Sequence, residues 1–271
     1  MKSILQDKST RLFFVLGGIF ITNALVAEFM GVKIFSFERS IGLESMNWSV
    51  LGVDGLGFNL AAGVLLWPVV FVLTDVINEY FGHRGVKLLS YFTVGLILYA
   101  FVMIYFAISL APNEWWQSES GLLDPNPANH IQDMDLAFRK IFGQGLWIIV
   151  GSLVAFLVGQ VVDVFVFQRL KRLTGGDKIW LRATGSTLVS QFIDSFVVLF
   201  IAFYIGADWE LVRVLAIGSV NYLYKFILAI LLTPLIYLAH HWIDSYLGAE
   251  KAEELKRQAS ISSRKSSLHE I

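Results

Sequence analysis

Six apolar stretches dominate the chain, near residues 11–31, 57–81, 86–110, 143–168, 183–206 and 213–239. Each is long enough to cross a bilayer, which takes roughly 20 mostly apolar residues in a helix. Within the hydrocarbon every backbone polar group has to be bonded inside the chain, so lone runs of this length fold as helices. The predicted fold class is all-α: a polytopic membrane protein with six transmembrane helices. The first stretch is too long, and too polar at Asn23 and Glu28, for a cleaved signal peptide, and it lacks a small-residue cleavage site. It reads as a retained first helix.

Orientation follows from the basic residues between the runs. With the N-terminus inside, the cytoplasmic segments hold Lys2, Lys8, Arg11, Arg84, Lys87, Arg169, Lys171, Arg172, Lys178, Arg182, Lys251, Lys256, Arg257, Arg264 and Lys265. The outer segments hold Lys33, Arg39, Arg139, Lys140 and Arg213. This three-to-one bias predicts that both termini are cytoplasmic, and in a bacterium the location is the inner membrane. Residues 1–247 form the six-helix transmembrane domain and 248–271 a polar cytoplasmic tail, read as a short helix followed by a disordered Ser/Lys/Arg segment. The outer segment 32–56 contains VKIFSF, which favours a short strand or hairpin. The long outer loop 111–142 is acidic, sets Trp115 and Trp116 at interfacial depth, and has a short amphipathic helix near 131–141. The inner loop 169–182 is basic, with Gly175–Gly176 as its turn.

The polar residues inside the spans carry the functional signal. Only 16% of the chain is charged, against roughly 25% in a typical soluble protein. A charge at the centre of a membrane helix costs about 2.5–3.5 kcal/mol, so Asp75, Asp163, Asp194 and Lys225 have to face one another, a polar cavity or the headgroups. In FVLTDVINEYFG (71–82), Thr74, Asp75, Asn78 and Glu79 cluster, with the last three sharing one helix face. Helix four carries Gln160 and Asp163 in GQVVDVFV, and helix five repeats the pattern in SQFIDSFV with Gln191 and Asp194. Asp194 and Lys225 fall near mid-membrane and pair most simply with each other. Asn23 lies near their level and serves either a ligand or helix packing. Glu79 is expected to snorkel to water at the inner headgroups, and Glu28 to lie near the outer ones. Trp67 reads as a lipid-facing or packing residue rather than as a stacking platform.

Other activities fit poorly. There are no cysteines, the histidines fall in loops, ends or tails, and no His/acid cluster suggests a metal site. The Gly-x-Gly-Asp signature of intramembrane aspartyl proteases and the phosphate-binding P-loop are both missing. Net charge is −1, which gives no reason to expect a nucleic-acid partner. What is left is a transporter or channel, and the mixture of amides and carboxylates suits an organic ligand better than a bare ion.

The stretches WPVVFVLTDVINEYFG (67–82), RATGSTLVSQFIDSFVVLFIAF (182–203) and YKFILAILLTPLIYL (224–238), with the Gln-x-x-Asp of helix four, resemble the bacterial queuosine precursor transporters of the vitamin uptake transporter family. The resemblance covers 11–31, 57–110 and 143–240; the acidic loop and the extended tail depart from it. It implies import of a deazapurine base, 7-cyano-7-deazaguanine or its aminomethyl relative, for queuosine salvage in tRNA. It implies a substrate site drawn from Asp75, Asn78, Gln160, Asp163, Gln191, Asp194, Lys225, Asn23, Thr74, Glu79 and Trp67, with Phe165, Phe196 and Trp67 as candidate rings to stack on the base, and no cofactor. Proton coupling and a homo-oligomer stay open. So do two other classes, a substrate-binding subunit of an energised uptake system and an intramembrane enzyme.

Overall fold

The computed structural model describes residues 7–118, 126, 131–143, 145–174 and 179–269. The apolar runs fold as helices joined by short polar elements. Helix α1 (Lys8–Met30) is capped by Asp7, which accepts the backbone N–H of Thr10. The outer segment forms two small antiparallel ladders: β1 (Ile34–Ser36) pairs with β4 (Asn59–Ala61), and β2 (Trp48–Val50) with β3 (Val53–Leu56), with the single turn α2 (Phe37–Ser40) between β1 and β2. Then come α3 (Trp67–Ser109), α4 (Glu114–Ser118), α5 (Met134–Phe142), α6 (Leu146–Thr174), α7 (Ile179–Leu199), which continues as a π-helical segment to Ile205, α8 (Leu211–Leu247) and α9 (Ala249–His269).

Among the described residues, five helical stretches are long and apolar enough to cross a membrane, rather than six. The difference lies in α3, which absorbs the second and third runs. At about 1.5 Å per residue its 43 residues would measure about 64 Å, twice a hydrocarbon core of about 30 Å. It is not one straight rod. Gly82 breaks it with φ 71° and ψ −179°, a left-sided backbone that a side chain would strain. Contacts along α1 show what the break does. Phe13 stacks edge-on against Phe81 before the break, and Gly17 lies against Leu89 after it. Near the other end of α1, Ala27 touches Gly63 and Phe29 packs on Phe101. Moving along α1, the partners run away from Gly82 on both sides, back to Gly63 before the break and on to Phe101 after it, so the two arms fold back on each other.

Three boundaries move. The second run does not start its helix at 57, because 59–65 is used by β4 and a 3₁₀ turn (Ala62–Leu65). The basic loop 169–182 is mostly helix, since α6 reaches Thr174 and α7 starts at Ile179; the Gly175–Gly176 turn lies outside the described residues. The tail after 247 is helical to His269, where disorder was expected after a short helix. Ala252, Leu255 and Ala259 explain it: they are buried and share one face. Ala259 sits on the Gly82 bend, where a Cβ would come within 3.2 Å of its carbonyl oxygen.

The outer ladders form a cap. Phe58, Leu60 and Val64 are buried there with Val220, and Phe35, Phe37, Trp48 and Tyr224 pack against them. Glu38 is buried below this cap and accepts the backbone N–H of Phe58 at 2.7 Å and the hydroxyl of Ser36 at 3.0 Å. Burial alone would raise its pKa, but these bonds to the charged form outweigh it and hold the carboxyl below its usual value. Lys8 Nζ donates to the carbonyl of Tyr246 at 2.8 Å, so the start of α1 and the end of α8 are neighbours.

Candidate functional site

The acidic stripe of α3 faces α6 and α7, and each of its members meets a different partner. Thr74 and Gln160 of α6 exchange a hydrogen bond at 3.2 Å. Asn78 Oδ1 accepts from Gln168 Nε2 at 2.7 Å. Glu79 does not snorkel to water: it is 3% exposed. Its Oε1 accepts from Arg182 and its Oε2 from Lys171, each at 2.9 Å. A buried carboxylate is held charged by such pairing, and Arg182, 1% exposed, is in turn held by Glu79 rather than by solvent. Arg182 and Lys171 therefore belong to the buried seam, although in sequence they read as ordinary loop cations.

One turn earlier, Asp75 has no cation paired with it among the described residues. Its oxygens lie 3.5 Å from Ser186 Oγ and 3.4 Å from Thr187 Oγ1 of α7. Asp163 of α6 is fully buried, with Oδ1 3.1 Å from Ser190 Oγ and no partner for Oδ2. Ser186, Thr187 and Ser190 were not singled out from the sequence, because small hydroxyls are common in apolar helices and only their helical spacing links them to the acids.

Asp75 opens onto a cavity between α3, α7 and α8. It is a narrow cleft with about 40 Å³ of free volume, below the roughly 300–1,000 Å³ of small-molecule pockets, so its walls have to part to admit a ligand. Trp67, Pro68 and Phe71 form one wall, Leu228, Ala229 and Leu232 another, and the polar groups are Asp75, Thr184, Thr187, Gln191 and Lys225. Gln191 is buried, and its amide nitrogen has no partner. Pro234 interrupts α8 beside this space, and Thr233 there meets Thr184 of α7 at 2.8 Å. A proline inside a helix removes one backbone hydrogen bond.

Lys225 Nζ lies 2.5 Å from Asp194 Oδ2, with the two side chains 18% and 20% exposed. The pairing suggested by their shared depth is thus present, at the rim of the cavity. Gln160, Asp163 and Asn78 lie in the seam outside the lining, and Glu79 has both oxygens occupied. Asn23 bonds back to the carbonyl of Ile19 on its own helix at 2.8 Å and joins none of these groups. Of the three aromatic candidates Trp67 lines the cavity. Phe165 is 66% exposed on the outside of α6, and Phe196 packs against Gly218 of α8. Phe71 is the aromatic that the sequence did not single out. Glu28, expected near the headgroups, is buried and accepts from Ser152 at 2.5 Å.

A second polar cluster joins α3, α8 and α9. Tyr80 donates to Asp244 at 2.7 Å, His240 Nδ1 lies 3.1 Å from the same hydroxyl, and Lys256 reaches Asp244 at 3.0 Å. His240 is buried inside α8 rather than lying at a helix end.

Residues 61–239 match a family model described as "Putative vitamin uptake transporter". A "Probable queuosine precursor transporter" of Bacillus subtilis (strain 168) is 31% identical over 200 residues, 71% of this chain and 77% of that protein. The "Queuosine precursor transporter" of Escherichia coli (strain K12) is 28% identical over 190 residues, covering 69% and 76%. A relative with the same printed name as the first, from Haemophilus influenzae, is 27% identical and covers 72% and 73%. No solved structure matches the chain.

Proposed function

The chain belongs to the vitamin uptake transporter family, and from that premise we propose that it imports a queuosine precursor, a 7-deazaguanine base, through the cavity between α3, α7 and α8. The observation that carries this reading is Gln191: a buried amide nitrogen with no partner, in a wall that also holds Asp75 and Trp67. A polar group buried without a bond costs about 1–3 kcal/mol, which a ligand with an acceptor at that point would relieve. A guanine-type edge offers an acceptor at O6 beside N–H donors at N1 and the exocyclic amine. Gln191 can donate to the first while Asp75 accepts from the others, a pairing of charged acceptor with base edge. Trp67 and Phe71 offer rings to the flat face, and such stacking is worth about 1–3 kcal/mol per base. The Lys225–Asp194 pair borders the same space as a fixed dipole.

The same reading includes six crossings, with the two arms of α3 counted separately, and both termini on the cytoplasmic side of the inner membrane. The contact of Lys8 with Tyr246 supports termini on one side, and the basic bias supports the cytoplasmic one. Residues 1–247 then form the transport domain and α9 a cytoplasmic helix docked below it. Labelled 7-cyano-7-deazaguanine should accumulate in a cell that cannot make queuosine precursors once it expresses this chain alone. Absence of uptake with the protein present in the membrane would refute the substrate. Reporter fusions at residues 120 and 260 should map to opposite sides; the same side for both would refute the topology.

A further inference from the structure

Asp163 is 0% exposed, and among the described residues no cation is paired with it. Its Oδ2 has no hydrogen-bond partner. Its Oδ1 touches Ser190 Oγ at 3.1 Å, but that hydroxyl is also 3.1 Å from the carbonyl oxygen of Thr187. A serine hydroxyl has one hydrogen to give, and a backbone carbonyl can only accept. That one hydrogen is shared between two acceptors at equal distance, so Asp163 has at most half a donor for two oxygens unless the carboxyl carries a proton of its own. Ser186 repeats the pattern toward Asp75, lying 3.1 Å from the carbonyl of Ala183 and 3.5 Å from Asp75 Oδ1. Asp75 differs in having Thr187 Oγ1 at 3.4 Å and in opening onto the cavity.

The surrounding charges leave this pair unbalanced. On α3, Glu79 is already satisfied by Lys171 of α6 and Arg182 of α7. Lys225 of α8 lines the cavity with Asp75 but is held by Asp194 of α7. Two buried carboxylates with no cation of their own among the described residues cannot both stay ionised cheaply. A proton fits the 3.1 Å contact without moving an atom, whereas a metal ion would need room between the oxygens.

We infer that Asp75 and Asp163 form a proton-binding site, with the proton on Asp163 in this conformation and Asp75 as its door to the cavity, and that its loading is coupled to substrate transport. The coupling half rests on the substrate reading above; the proton half does not. The first test therefore uses no substrate. Infrared difference spectra of the full chain in lipid nanodiscs should show the C=O stretch of a buried protonated carboxyl at neutral pH, shifted in D2O. The band should vanish in Asp163→Asn and persist in Glu28→Gln, which removes a buried carboxyl that accepts from Ser152 instead. Asp163→Asn mimics the protonated acid in shape and should keep the wild-type melting temperature. An Asp163→Asn spectrum identical to wild type, or a band displaced by sodium at constant pH, would overturn the site. In proteoliposomes, an acid-outside gradient should drive accumulation of labelled 7-cyano-7-deazaguanine. Asp163→Asn should keep counterflow and lose accumulation at least tenfold. Wild-type accumulation on a sodium gradient alone would overturn the coupling. No wild-type counterflow would sink the substrate reading and leave the infrared band to decide the site.

Discussion

Glu79 and Asp75 sit one turn apart on the same face of α3, equally buried, yet their surroundings are opposite. Glu79 has two cations within 2.9 Å. Asp75 has hydroxyls at 3.4–3.5 Å and a second acid as its neighbour. The first arrangement is complete: every oxygen has a donor, and moving either helix would expose a charge. The second is short of positive charge, and a mobile proton or a ligand can complete it. A single polar stripe therefore does two jobs, clamping α3 to α6 and α7 at one end and facing the cavity at the other.

The largest effect expected from breaking this contrast is at Glu79. Glu79→Gln leaves Arg182 and Lys171 as buried cations without a counter-charge, and removing one partner of a buried pair costs about 3–5 kcal/mol. Asp163→Asn replaces a carboxyl that its proton already neutralises and should cost little. Unfolding of the two variants in detergent, followed by denaturant or heat, compares them directly. Equal destabilisation would erase the distinction between clamp and cavity end.

The sequence made one side of this contrast visible. Apolar run length specified the helices, and the i, i+3, i+4 spacing of Asp75, Asn78 and Glu79 placed them on one face. What that face meets could not be read, because helix pairing depends on contacts far apart in the chain. Arg182 borders an apolar run and so reads as a loop residue until Glu79 is seen beside it. Gly82 reads as part of a linker and proves to be the hinge that turns one 43-residue helix into two arms. Gln191 and Asp163 were legible as a repeated motif, yet one faces the cavity and the other the seam, a difference of helix rotation that spacing alone does not encode.

Lys225 and Asp194 sharpen the contrast at the cavity rim, where both side chains keep about a fifth of their surface exposed. Lys225→Met should lower apparent substrate affinity or stability by about 1.5–3 kcal/mol, the scale of a charged hydrogen bond. The double variant Lys225→Met with Asp194→Asn then separates two roles. A clamp like Glu79 predicts that folding and transport both recover. A pair used by the transport cycle predicts recovered folding and transport that stays lost. If the double variant is expressed no better than the single ones, the residues do not act together.

Gln191→Leu tests the cavity end alone. It removes an unpaired amide from a buried wall, so stability should hold or rise slightly. It also removes a donor for the substrate, and a neutral hydrogen bond contributes about 0.5–1.5 kcal/mol, so apparent affinity should fall roughly three- to tenfold. A scintillation proximity or equilibrium binding measurement with labelled base reads this without requiring turnover. Unchanged affinity would remove Gln191 from the site.

The smallest effect is expected where the charge pattern of Glu79 recurs with inverted sign. Lys256 of α9 stands between two acids, 3.0 Å from Asp244 and 3.5 Å from Glu253, as Glu79 stands between two bases. The difference is solvent. Asp244 is 39% and Glu253 76% exposed, so losing the lysine leaves carboxylates that water can still hydrate. Exposed pairs contribute about 0–1 kcal/mol. Lys256→Met should therefore cost less than about 1 kcal/mol, against several for Glu79→Gln, and its small cost should shrink further with added salt, whereas that of Glu79→Gln should not. Tyr80 still donates to Asp244, and Ala252, Leu255 and Ala259 still bury their faces, so α9 should stay docked over the Gly82 bend. Protease sensitivity of the chain after residue 247 checks that directly. A Lys256→Met protein cut there as fast as an unfolded control would mean that this ion pair, not the apolar face, holds α9 in place, and that burial does not rank the two charge clusters.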